Sequence, residues 1–202
     1  MDVIFSFLLA ALALTGSPGP NTLSVAAVGA SFGRVKGLEY MMGLNIGMVG
    51  VITIVGSGMA GMVLALPGLA PIVTILAAAY FLYLAYRIAT APPLAAGGND
   101  GSIEQTSAPR WYEGVGLSLI NPKAYAAMAA LFSGYVIADG QPALDALWKA
   151  GLVLATITTV NLIWLSVGAA MTGFLSNPKT ARTINIAFAI LLLASVTYAI
   201  LG

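Results

Sequence analysis

The chain has 202 residues, of which 59% are hydrophobic and only 7% are charged, and its net charge is +1. A soluble domain carries about 25% charged residues, so this chain cannot cover its own surface in water and is predicted to be an integral membrane protein. It contains no cysteine and no histidine, which excludes disulfides, thiol chemistry and imidazole-based catalysis or metal binding. The near-zero net charge gives no reason to expect a nucleic-acid partner, and no cofactor is expected.

Apolar runs long enough to cross a bilayer, which takes about 20 residues, occur six times and predict an all-α fold with six transmembrane helices. The predicted spans cover about 3–32, 40–66, 69–91, 111–137, 147–174 and 181–201. The N-terminal run also resembles the apolar part of a signal peptide. However, the only charge ahead of it is Asp2, whereas a signal peptide begins with positive charge.

Basic residues are unequally divided between the two sides that six spans would create. Six follow spans one, three and five, whereas only Lys149 lies on the opposite side. Because short cytoplasmic loops carry an excess of lysine and arginine, both termini are predicted to be non-cytoplasmic. The six basic residues are Arg34, Lys36, Arg87, Arg110, Lys179 and Arg182. This pattern indicates a multi-pass protein of the cytoplasmic (inner) membrane of a prokaryote.

Proline interrupts two of the six spans, at Ser17–Asn21 (SPGPN) and at Asn121–Lys123 (NPK). A helix ends at such a proline because the residue lacks an N–H and its ring clashes with the preceding turn. The chain then divides into repeat one (1–91), a Pro-, Gly- and Ser-rich cytoplasmic linker (92–110) and repeat two (111–202), all within one transmembrane domain. Two three-span repeats enter the membrane with opposite polarity, and broken helices at matching positions indicate a transporter site. A structural kink resealed by neighbouring side chains is the alternative.

Each break is predicted to expose a helix N-terminus near mid-membrane. Asn121 is a typical N-cap with Pro122 at the first helical position, and either Asn21 or Ser17 suits the cap of the helix after the first break. A helix N-terminus carries about half a positive charge and binds anions such as carboxylates.

Carbonyl groups just upstream of the breaks are predicted to lose their helical partners. Carbonyls around Leu14, Gly16 and Ser118 are then available to an ammonium group or to water. Non-helical backbone is tolerated at this depth only where protein buries it or where it lines a polar cavity. Donors and acceptors together predict a small chamber for a zwitterion.

Lys123 lies well inside the fourth span, and an ionisable residue at that depth is a functional candidate by default. It is predicted to add positive charge to the two helix N-termini; a snorkelling lysine is the alternative. Glu39 and Glu113 lie nearest the cytoplasmic mouth. They join Lys123 as proton-coupling candidates, with solvated acids at the headgroup level as the alternative. No acid falls deep within a span, so neutral substrates fit better than lysine or arginine.

Asn161 and Trp164 lie three residues apart on span five and share a helical face. They either line the substrate path or bond across helices. Glycines at four-residue spacing predict close helix packing or a gate hinge: Gly29, Gly33 and Gly37, and also Gly43 and Gly47. The predicted substrate-binding residues are Ser17, Pro18, Gly19, Pro20, Asn21, Asn121, Pro122, Lys123, Asn161 and Trp164.

Three stretches of the chain resemble the LysE-type amino-acid exporters, which include the RhtB-type homoserine/threonine efflux proteins. They are GSPGPN at 16–21, GASFGRVKGLEYMMGLNIG at 29–47 and GLSLINPKAYAAM at 116–128. Ser17 stands where threonine is more usual in the family, and the hydroxyl is kept. The resemblance implies efflux of amino acids or related small metabolites, driven by proton exchange in a secondary transporter.

Other classes of function fit the sequence less well. An intramembrane protease would need a Ser–His pair or two buried aspartates, and the sequence provides neither. No Walker-type phosphate loop is present, so nucleotide does not drive transport from within this chain. A passive small-solute channel or a membrane scaffold is the alternative. The expected partners are a small amino acid and the lipid bilayer, and the sequence leaves a homodimer open.

Overall fold

A computed structural model of the protein describes residues 2–58, 69–90, 108–171 and 178–201. Every regular element in these ranges is a helix, which confirms the all-α prediction for the described part of the chain. The helices are α1 (Asp2–Gly16), α2 (Pro20–Gly56), α3 (Leu69–Ala89), α4 (Trp111–Leu119), α5 (Pro122–Gly134), α6 (Pro142–Ala170) and α7 (Pro178–Leu201).

Among the described residues, up to three of the six predicted spans are matched by helices long and apolar enough to cross a membrane. Both α2 and α6 are long and apolar enough to cross a membrane, and α4 with α5 passes the same test as one span bent by 60°. Helices α3 and α7 cover the predicted third and sixth spans. The fifth span begins earlier than predicted, at Pro142, because proline suits the first helical position. Most of the predicted linker, 92–110, and the end of the second span lie outside the described residues.

The predicted loop between the first two spans is wrong, because α2 joins the second part of span one directly to span two. Only Gly33 departs from helical geometry, with φ 81° and ψ 175°. This positive φ favours glycine, which has no Cβ to clash. A single residue therefore turns the chain, and Arg34 and Lys36 lie on a helix rather than on a loop.

Glycines bring neighbouring helix backbones into contact. A Cβ added to Gly168 of α6 would lie 2.8 Å from the Cα of Ala26 in α2. An added Cβ on Gly29 or on Gly47 would lie within 2.7 Å of atoms of α6 or α4, respectively. Gly43 meets α4 in the same way through the backbone of Trp111. The predicted small-residue packing is confirmed at these positions.

Apolar side chains of α1, α2, α5 and α6 form a buried cluster beside the two breaks. Its members include Phe7, Met48, Met128, Leu131 and Ile157. Because these helices meet through this cluster, the end of α1 and the start of α5 are held close together although they are far apart in sequence.

Candidate functional site

The second break follows its predicted local chemistry. Helix α4 ends at Leu119, and α5 begins at Pro122 with Asn121 as its N-cap. The Asn121 side-chain oxygen accepts a hydrogen bond from the backbone N–H of Lys123 at 3.1 Å. The predicted cap is therefore confirmed, and proline occupies the position where its missing N–H has least cost.

The predicted caps at the first break are wrong, because neither Asn21 nor Ser17 occupies the N-cap position. Gly19 is the N-cap and Pro20 is the first helical residue of α2. The backbone N–H of Gly19 donates to the hydroxyl of Thr22 at 2.9 Å. Glycine has no side chain to cap the helix, so the Thr22 hydroxyl stabilises this turn instead. The side chain of Asn21 takes no part in the cap.

A relay of side-chain hydrogen bonds joins the two breaks. Asn121 Nδ2 donates to Asn21 Oδ1 at 2.9 Å, and Asn21 Nδ2 donates to Ser118 Oγ at 2.9 Å. Ser118 then donates to the carbonyl of Leu44 at 2.9 Å. Ser118 is 0% exposed, Asn121 is 3% exposed and Asn21 between them is partly buried, so the relay fixes the two helix N-termini relative to each other. Sequence analysis missed the role of Ser118, for which the signal was a serine next to the NPK break.

The ammonium group of Lys123 bonds to oxygens that follow the end of α1, directly beside Gly19, the N-cap of α2. Its Nζ donates to the Ser17 carbonyl at 2.7 Å, to the Ser17 hydroxyl at 2.8 Å and to the Pro18 carbonyl at 3.1 Å. Three acceptors thus match the three protons of a lysine ammonium group. The carbonyl end of a helix is also the negative end of its dipole, which attracts a cation.

Gly19 gives the Lys123 side chain room to cross the first break. A Cβ added to Gly19 would lie 2.8 Å from both Cδ and Nζ of Lys123. The backbone of Gly19, with φ −168° and ψ −179°, is extended and open to any residue. The need for glycine therefore comes from the close approach of the lysine.

The carbonyls that were predicted to be open to an ammonium group have partners within the chain. They belong to Leu14, Gly16 and Ser118. In that order, the donors to them are Ser17 Oγ at 3.1 Å, Trp164 Nε1 at 3.3 Å and the backbone N–H of Asn121 at 3.3 Å. The carbonyls that hold an ammonium group are those of Ser17 and Pro18, which directly follow Gly16 and lie in the predicted region.

Both Asn161 and Trp164 bond across helices, as one of the two predicted alternatives requires. Trp164 reaches the end of α1, and Asn161 Nδ2 donates to Asn45 Oδ1 at 2.9 Å. Asn45 Nδ2 in turn donates to Thr158 Oγ1 at 3.2 Å. Asn161 is also one of the residues that line the cavity described next.

A cavity of about 40 Å³ lies where the two breaks meet. An ordered water needs about 10–15 Å³, so the cavity is large enough for water. Residues of and around the breaks line one part: Thr15, Gly19, Pro20, Asn21, Thr22, Asn121, Lys123 and Asn161. Apolar side chains line the rest: Leu14, Met48, Ala124, Ala127, Met128, Ile157 and Val160. None of these lining residues carries a carboxylate.

The two acidic candidates form ion pairs away from the cavity. Glu39 pairs with Lys36 at 2.9 Å on an exposed face of α2. Glu113 pairs with Arg87 at 2.6 Å and accepts the backbone N–H of Arg110 at 3.0 Å. The second pair connects α3 to α4 across the segment between them.

The LysE type translocator family matches this chain over residues 12–200, an interval that contains both breaks. The chain belongs to this family. As a LysE-type translocator it is a membrane transporter, and members of this family are not enzymes. It is 29% identical over 163 residues to an uncharacterized membrane protein of Vibrio cholerae serotype O1, with 80% of this chain and 76% of the relative covered. No solved structure matches the chain.

Proposed function

We propose that this translocator is a secondary active exporter of neutral amino acids or closely related small metabolites, driven by proton exchange and of the RhtB-like type. This proposal rests on the cavity, which is lined by the first turns of both α2 and α5. The backbone N–H groups of a helix's first turn lack intrahelical partners and bind anions. The substrate carboxylate lies against the first turn of α2, because Pro122 has no N–H and the N–H groups of Lys123 and Ala124 in α5 already bond to Asn121.

The remaining cavity wall supports a neutral substrate with a small apolar part. Met48, Met128, Ile157 and Val160 line this wall. A second cationic group, such as the side chain of lysine or arginine, would lie here without an acidic partner. A desolvated charge without a partner is costly, so such substrates are disfavoured.

We also propose that repeats 1–91 and 111–202, connected by the linker 92–110, are inverted and share one membrane domain. Two contacts between corresponding parts support this arrangement. Asn21 and Asn121, one at each break, bond to each other at 2.9 Å. Asn45 of the predicted second span and Asn161 of the fifth also bond at 2.9 Å. A two-fold axis in the membrane plane brings equivalent elements together in this way.

Proton coupling is assigned to Lys123 among the three candidates. Its side chain lines the cavity, whereas Glu39 and Glu113 do not. Each glutamate instead forms an ion pair away from the cavity.

The proposed topology places both termini outside the cytoplasm of a prokaryotic inner membrane. The side chain of Lys149, the exception to the basic asymmetry, is 4% exposed and bonds to Asp145 at 2.6 Å. A reporter that works only outside the cytoplasm is expected to be active when fused after Leu201. A reporter that works only in the cytoplasm is expected to be active when inserted within 97–102. The reverse activity pattern would contradict this orientation.

Transport by inside-out membrane vesicles tests the proposed function. A panel of neutral, acidic and basic amino acids is offered to vesicles with an acidic lumen and to vesicles without a pH gradient. A neutral amino acid is expected to accumulate only in the acidic vesicles, and a protonophore should abolish its accumulation. Equilibration that is independent of the gradient would instead favour the passive channel.

A further inference from the structure

Three oxygens at the end of α1 surround one ammonium nitrogen, and we refer to them as the ammonium cradle. They are the carbonyl and hydroxyl oxygens of Ser17 and the carbonyl oxygen of Pro18, all within 3.1 Å of Lys123 Nζ. Bonds to a charged donor are about twice as strong as neutral ones. The cradle therefore recognises a primary ammonium group, and this chain supplies one from α5.

We propose that the cradle is the ammonium subsite for the substrate, and that Lys123 and the substrate's ammonium group occupy it alternately. This inference rests on the proposed export of amino acids, because it assigns the second charged end of that substrate. In the present structure the lysine fills the subsite with its own ammonium group.

The position of the cradle matches the shape of an α-amino acid. Pro18 immediately precedes Gly19, the N-cap of α2, so the acceptor group and the donor turn are neighbours along the chain. Consecutive Cα atoms are about 3.8 Å apart, and the two charged groups of an α-amino acid are separated by a single carbon. Lys123 both lines the cavity and reaches the cradle, so its displacement connects the two.

Alternate occupancy also accounts for exchange of one proton for one substrate. When the substrate's ammonium group enters, Lys123 leaves the cradle and lies close to a second cation. The like charge disfavours the charged lysine, so one N–H bond breaks and its proton passes to water. After the substrate leaves on the other side, the neutral amine takes a proton from water there and returns to the cradle.

Size-matched chemical rescue of the purified full-length protein tests the cradle. Lys123→Ala removes three carbons and the nitrogen, which propylammonium replaces, whereas Lys123→Met keeps the stem and leaves room for an ammonium ion. The Ala variant is expected to bind propylammonium at least about tenfold more tightly than tetramethylammonium, which has the charge but no N–H donor. The Met variant should prefer ammonium to potassium, and wild type should show neither preference.

A blocking variant makes the test specific to this place in the fold. The Cβ of Gly19→Ala would fall 2.8 Å from the position of Lys123 Nζ, so it fills the cradle without straining the extended backbone. Adding Gly19→Ala to Lys123→Ala is therefore expected to abolish the propylammonium preference. Rescue that persists in the double variant, or equal binding of both cations by the two Lys123 variants, would overturn the proposal.

The amine-binding assay tests the cradle and the vesicle assay tests the proposed export, so either proposal can fail while the other holds. Amine selectivity in a protein that transports no amino acid would retain the cradle and remove the proposed substrate. Proton-driven export without amine selectivity in the Lys123 variants would retain the exporter and remove the cradle as an ammonium subsite.

Discussion

Replacing Lys123 with alanine is expected to abolish accumulation of substrate against a pH gradient while leaving the protein inserted and folded. With one proton exchanged per substrate, a pH difference of about one unit and a clamped membrane potential, wild-type vesicles should reach about tenfold accumulation, because a tenfold ratio corresponds to about 1.4 kcal/mol. Vesicles with the Ala variant should not exceed equal concentrations on the two sides.

Lys123→Arg separates charge from proton exchange. Arginine keeps the positive charge but stays protonated under physiological conditions, so it cannot release a proton to water. The Arg variant should therefore also fail to accumulate substrate. Accumulation restored by arginine would show that Lys123 contributes only its charge, and accumulation retained by the Ala variant would exclude it from coupling altogether.

Replacing Gly168 with alanine is expected to be a strongly damaging change in the helix packing. The new methyl group would lie 2.7 Å from the carbonyl carbon of Ala26 and closer still to its oxygen. A backbone cannot move aside as a flexible side chain can, so α2 and α6 must separate. Overpacking of a well-packed core costs about 1–3 kcal/mol, and contact with backbone places this change at the upper end of that range.

Gly151→Ala provides the matched control on the same helix. No atom lies within 4 Å of a Cβ built at Gly151, and alanine favours a helix by about 1 kcal/mol over glycine. Thermal unfolding in detergent should give a clearly lower Tm, or no folded protein, for Gly168→Ala. The Tm of Gly151→Ala should equal or exceed that of wild type. Equal Tm values for the two variants would contradict the tight crossing of α2 and α6.

The sequence by itself determined the features that depend on near neighbours. The apolar runs predicted an all-α membrane protein, and the prolines placed both helix breaks correctly. Asn121 was recognised as a cap because a capping amide bonds within its own turn. The packing role predicted for Gly33 is wrong, since no neighbouring atom lies within 4 Å of a Cβ built there. Only its backbone angles show that it turns the chain without a loop.

Only the tertiary structure decided which groups bind the ammonium of Lys123 and the side-chain amides of Asn21 and Asn121. Lys123 bonds to the end of α1 because packing brings that helix end beside α5, and its free carbonyls outcompete more distant partners. The bond between Asn21 and Asn121 depends on the same approach of two distant segments. The sequence determines which backbone groups a helix break exposes. Which of them a long flexible side chain binds depends on how close each lies to it. That distance exists only once the helices have packed.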